Sequence, residues 1–272
     1  MENPKVALCF IIRHSIHKET IWREWIEPNK DIIHIYIHCK DFSPSACPSN
    51  WIRTYTIPRQ YIVKTSYFHI VPAYMNLIQF ALTHDTNNQW FCFLTDSCVP
   101  LLSPSSFRDM FLQMKERSIF KWKPIWWNTY FNKRANLRLL HPEFHLANDP
   151  YFVLKREDAK QCVKYSIVNR SIYQKICQGI IANESVFAII LKVVGSLDEV
   201  INESTHLTDW EHMSSSTSPY VFKNGLSREM DYIVQNKGTY SLFLRKVDPA
   251  FPDNLLRKLI WMNPGPGPGP IP

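Results

Sequence analysis

The sequence has no CxxC pair, no dense run of lysine and arginine, no internal repeat and no apolar stretch long enough to cross a bilayer. Each absence removes a class of protein. The seven cysteines (Cys9, Cys39, Cys47, Cys92, Cys98, Cys162, Cys177) are an odd number, and several fall in apolar runs where a thiol behaves as a small hydrophobe. Neither a disulfide framework nor a zinc site is expected. The apolar run from Lys5 to Ile12 is too short, and too soon interrupted by Arg13, for a signal peptide or membrane span. The expectation is a protein without a membrane span, acting in the cytoplasm. A net charge of +7 favours an anionic ligand or surface, but the excess is spread along the chain and does not choose between nucleotide, nucleic acid and membrane.

What is present is a core. With 272 residues, 45% hydrophobic and 14% aromatic, the chain can bury one large domain or two small ones. The most strand-like stretch is Trp90–Leu102 (WFCFLTDSCVPLL), apolar on both faces, as an inner strand covered by helices must be. It breaks off at Thr95-Asp96-Ser97-Cys98 and Pro100, where the carboxyl end of a strand in an open α/β sheet faces a ligand crevice. Val6–Ile12 reads as a buried strand, Glu19–Trp25 as the helix after it and Asp31–Cys39 as a second strand. That order opens a parallel sheet. Lys40–Asn50 is turn-rich, Trp51–Ile57 reads as a short strand ending at Pro58, and Val71–Leu82 has helical spacing. Ser105 or Ser106 caps a helix Phe107–Glu116. The aromatic and basic segment Phe120–His145 reads as a surface insertion, followed by a strand Tyr151–Leu154, helices Asp158–Tyr165 and Glu184–Val194, a loop from Gly195 to Ser218, and a late strand Tyr240–Val247. The expected division is one mixed α/β domain over 1–260 and a disordered proline-glycine tail over 261–272.

Several blocks stand in a telling order: IYIHCKD, QWFCFLTDSCVPL, DPYFVLKRED, ANES, then LTDW and LFLRKVDP. Taken together they resemble the core-2/I-branching β-1,6-N-acetylglucosaminyltransferase family, with its peptide O-xylosyltransferase relatives. The resemblance implies a GT-A type fold, with a mostly parallel central sheet flanked by helices. It also implies inverting transfer of a sugar, N-acetylglucosamine or xylose, from a UDP-sugar donor to a glycan or glycoprotein acceptor, with no metal and no other cofactor. Compact members without an anchor occur in bacteria and large DNA viruses, so a bacterial cell or virus-infected host cell fits.

Such a transfer needs a base for the acceptor hydroxyl, and Glu184 matches the family's position for it. By its residues alone Glu184 reads equally as a first-turn glutamate favoured by the helix dipole. No Asp-x-Asp occurs, and Asp96-Ser97-Cys98 puts a thiol where a hard cation wants a second carboxylate. Cationic side chains must then meet the diphosphate. Arg245 and Lys246 match the family's basic pair, with Lys223 as the upstream partner and Arg228 as its alternate. Arg13, His38 and Asp41 end the first two strands on the nucleoside side, Asp96 and Ser97 suit sugar contacts, and Asp209 and Trp210 stand on the acceptor side. The triplets beginning at Asn169, Asn183 and Asn202 fit the N-glycosylation pattern, and a glycan on the middle one would obstruct the crevice. Two other readings remain: a nucleic-acid binder that stacks bases on Phe120–Arg138, and a glycan-binding member without catalysis. No nucleic acid is expected under the leading one.

Overall fold

The computed structural model describes residues 3–43, 45–131 and 134–262. The chain runs β1 (Lys5–Ile12), α1 (Glu19–Ile26), β2 (Ile33–Cys39), α2 (Asn50–Tyr55), α3 (Val71–His84), β3 (Asn88–Thr95), β4 (Val99–Pro100), α4 (Pro104–Met114), β5 (Trp122–Pro124), β6 (Leu146–Asn148), β7 (Val153–Lys155), α5 (Arg156–Val168), α6 (Arg170–Cys177), α7 (Val186–Val193), β8 (His206–Leu207), α8 (Ser227–Asn236), β9 (Phe243–Leu244) and α9 (Asp253–Arg257). The main sheet has the order β2-β1-β3-β7, with β1 parallel to both neighbours and β7 antiparallel at the edge. This is a mixed α/β domain with a mostly parallel central sheet.

The alternation along β1 and β3 explains the layers. Val6, Leu8, Phe10, Trp90, Cys92 and Leu94 join one buried cluster with Trp22 and Trp25 of α1 and Phe107 and Phe111 of α4. Ala7, Cys9, Phe91 and Phe93 point the other way, into a cluster with α3, α5 and α7. Helices therefore cover both faces, and the carboxyl ends of β1, β2 and β3 open together at one edge. The indole N–H groups of Trp22 and Trp25 donate to the carbonyls of Cys98 (2.9 Å) and Leu102 (2.8 Å), so α1 pins the segment leaving β3. Leaving such a buried donor unpaired costs about 1–3 kcal/mol.

Some expectations change. Trp51–Ile57 is not a strand but helix α2: Ser49 Oγ accepts from the Ile52 amide at 3.2 Å, and Trp51 meets Tyr55 one turn on, edge to face at 5.3 Å. Cap and i,i+4 contact outweigh a β-like composition. The cap of α4 is Ser103 rather than Ser105 or Ser106, because Pro104 fills the first helical position. Glu184 closes a 3₁₀ turn, Ala182–Glu184, and α7 begins only at Val186. Of Tyr240–Val247, only Phe243 and Leu244 pair as β9. Helices α6, α8 and α9 were not anticipated. Trp261 and Met262, expected in the tail, close a π-helical turn; the remainder, 263–272, and with it the expected disorder, lies outside the described residues. No helix among the described residues is long and apolar enough to cross a membrane.

Candidate active site

A second, three-stranded sheet, β4-β9-β8, carries the basic pair to the crevice. Val99 pairs with Leu244 and Pro100 with Phe243, so the residues just before β4 (Asp96, Ser97, Cys98) lie beside those just after β9 (Arg245, Lys246). The Val247 amide donates to the Ser97 carbonyl at 2.9 Å. His17 joins both sides: its amide donates to the Asp96 carbonyl at 2.9 Å, and its Nδ1 lies 2.9 Å from the Val247 carbonyl.

Arg245 is the centre of this arrangement. Its guanidinium lies 4.4 Å from the centre of the Tyr151 ring, and its Nε is buried without a partner among the described residues. Burial alone would pull it down, but Tyr151, Cys98, Tyr74 and Asp96 around it leave its pKa raised. Lys246 is half-buried and donates to Ser218 Oγ at 2.7 Å. Burial first, and then the Arg245 charge, lower its pKa, against the pull of Asp96. A cation sheltered from water with an unused donor is the arrangement that binds an anionic group strongly.

Glu184 stands within the electrostatic reach of Arg245. The turn that carries it is fixed by unusual means. Ile181 has φ 54°, a left-handed conformation costly for a β-branched residue, of the order of 1–3 kcal/mol. It is held there by its amide donating to the Phe68 carbonyl at 2.9 Å. Asn148 of β6 donates to the Asn183 carbonyl at 2.8 Å and accepts from the Ala188 amide, locking the turn to α7. The Glu184 carboxylate accepts from Arg134, whose backbone bridges Ile180. A methyl on Gly179 would sit 2.4 Å from the Arg134 carbonyl and 2.6 Å from the Asn136 amide, so only glycine lets this backbone approach. Burial raises the Glu184 pKa, Arg134 opposes this, and Asp149, itself half-buried and bonded to the Ser204 hydroxyl, adds to the rise. A carboxylate moved towards neutral pH is suited to take a proton there.

The other expected residues divide. Arg13 and Asp41 meet at the ends of β1 and β2, with Nε and Oδ2 2.8 Å apart, and Arg13 holds the Asp41 carboxyl below its usual range. His38 departs from expectation: it is fully buried and its Nε2 accepts from the Val63 amide at 3.0 Å, so it is a wall residue rather than an open contact. Burial lowers its pKa. Ser97 is buried and Asp96 partly exposed beside it. The Asp209 carboxylate is occupied within its own loop by the Glu211 and His212 amides (3.0 Å each) and by His212 Nδ1 (2.9 Å), which leaves Trp210 exposed. Lys223 is exposed and makes no ion pair among the described residues; the neighbouring Phe222 amide donates to the Lys246 carbonyl at 2.9 Å, which brings the two stretches of backbone together. Arg228 lies on α8, lining a cavity of about 460 Å³ together with Asp209, Tyr220 and Phe222. Among the described residues no group of three or more His, Cys, Asp or Glu side chains is placed to hold a metal ion.

Sequence reasoning missed Arg134, Asn148, Tyr151 and His17. Replacing Arg134 by Gln removes the charge that opposes desolvation, so the Glu184 pKa rises further. Because a base works only when deprotonated, the acid limb of the pH–rate profile is expected to move to higher pH while UDP affinity stays unchanged. An unmoved limb would show that Arg134 does not control the carboxylate.

The family model described as Core-2/I-Branching enzyme matches residues 6–233. No curated protein matches the chain.

Proposed function

Because the chain belongs to the core-2/I-branching enzyme family, which is made of glycosyltransferases, we propose that it moves N-acetylglucosamine or xylose from a UDP-sugar to a hydroxyl of a glycan or glycoprotein acceptor, with inversion and without a metal ion or other cofactor. The observation that carries this reading is the Arg245 side chain with its buried, unpartnered Nε, beside Lys246 and within electrostatic reach of Glu184. In the proposed reaction the acceptor O–H gives its proton to the Glu184 carboxylate as its oxygen attacks the anomeric carbon. The bond to the diphosphate breaks on the opposite face, and the charge that develops on UDP is met by Arg245 and Lys246. Fixed charges in a water-poor site stabilise such a transition state strongly. Arg13 and Asp41 suit the nucleoside, Asp96 the donor sugar and Trp210 the acceptor. Arg245, rather than the exposed Lys223, is the partner of Lys246 in this scheme.

A cytoplasmic place of action is part of the proposal. The Asn183 side chain, inside a glycosylation triplet, is buried in the turn that carries Glu184, where a glycan has no room.

Transfer from UDP-N-acetylglucosamine or UDP-xylose is expected to persist in excess EDTA. A rate that collapses in EDTA and returns with manganese would overturn the metal-free reading and direct attention to Asp41 and Asp96.

A further inference from the structure

The segment joining β5 to β6 exposes apolar side chains to an unusual degree: Trp126 62%, Tyr130 77%, Phe131 89% and Leu139 62%. An adjoining segment adds Tyr67 at 68% and Phe68 at 46%, since the Phe68 carbonyl accepts from Ile181 while Ile180 bridges Arg134. Exposed apolar groups gathered in this way mark an interaction surface. The unpaired charges beside them are basic. Lys123 stands 4.3 Å from the Trp126 ring centre, and Lys64 and Arg138 are exposed and make no ion pair among the described residues. The one carboxylate between 125 and 145, Glu143, lies 3.1 Å from His141.

From this we infer that the rim beside Glu184 docks on an anionic lipid bilayer. Aromatic rings settle at the head-group level of a bilayer, an aliphatic tip such as Leu139 gains by entering further, and lysine and arginine beneath them meet lipid phosphates. Single-stranded nucleic acid fits less well. Base stacking needs free ring faces, which Tyr130 and Phe131 keep, whereas Lys123 and Arg134 lie over Trp126 and Arg134 lies over Trp127; Leu139 offers no ring at all. Docked by this rim, the protein would turn Glu184 towards acceptors displayed at the membrane surface, a glycolipid head group among them. That last step rests on the proposed transferase reading; the docking does not.

The test is co-sedimentation of the full chain with vesicles of phosphatidylcholine alone and of phosphatidylcholine with phosphatidylserine, at low and high salt. The expected result is binding to the anionic vesicles only, weakened by salt. The double variant Tyr130→Ser/Phe131→Ser and, separately, Leu139→Ser should reduce it, the double variant by about tenfold or more, with melting temperature and UDP affinity unchanged. Absence of wild-type binding, or variants that bind like wild type, would overturn the inference. So would competition by an oligothymidylate whose own binding alone responds to the variants, which would identify a nucleic-acid surface instead.

Discussion

The Glu184→Gln protein is expected to bind UDP as tightly as the wild type and to transfer sugar more slowly by about a hundredfold to ten-thousandfold, the usual contribution of a positioned base. The amide keeps the size of the side chain and still presents an oxygen to Arg134, so the turn over Ala182–Glu184 should hold its shape. What it cannot do is accept the acceptor's proton. Calorimetry with UDP and initial rates with the donor sugar separate the two effects. Near-normal turnover would remove Glu184 from the reaction, and joint loss of binding and rate would point to damage to the fold.

The second large effect is expected at Lys246. Lys246→Ala removes one charge-assisted contact to the diphosphate, worth roughly 1.5–3 kcal/mol, so UDP should bind about ten- to a hundredfold more weakly. Uridine, which has no phosphate, should bind as before. The ammonium donates to Ser218 Oγ, an exchangeable neutral partner, so its loss should cost the fold little. Equal weakening of UDP and uridine would place Lys246 away from the diphosphate.

The parallel centre of the fold was legible because β1 and β3 are apolar on both faces, which few other environments require, and β2 alternates β-branched and polar residues with the period of a strand. Their carboxyl ends then located Asp96 and Ser97, and the small sheet explains why Arg245 and Lys246 join them from a distant part of the chain. Less legible was anything decided by a local contest. In Trp51–Ile57 the aromatic and β-branched residues suggested a strand, and a serine cap with one edge-to-face aromatic pair settled the segment as helix. His38 sits in a strand that ends at the crevice, but the pleat turns its ring inward against Val63. Arg134 could not be read at all, since nothing in NKRANL announces a partner fifty positions away.

Gly179 shows what this costs in exchangeability. The atoms a methyl would strike belong to the backbone at Arg134, Ala135 and Asn136, which cannot turn aside as a side chain can. The base and the residue that adjusts its charge are therefore seated on two stretches of chain that must match in outline before either works. A loop transplanted from a relative into 125–145 would have to travel with the turn at 179–184, and trimming 125–145 alone should disturb proton transfer without altering the base itself.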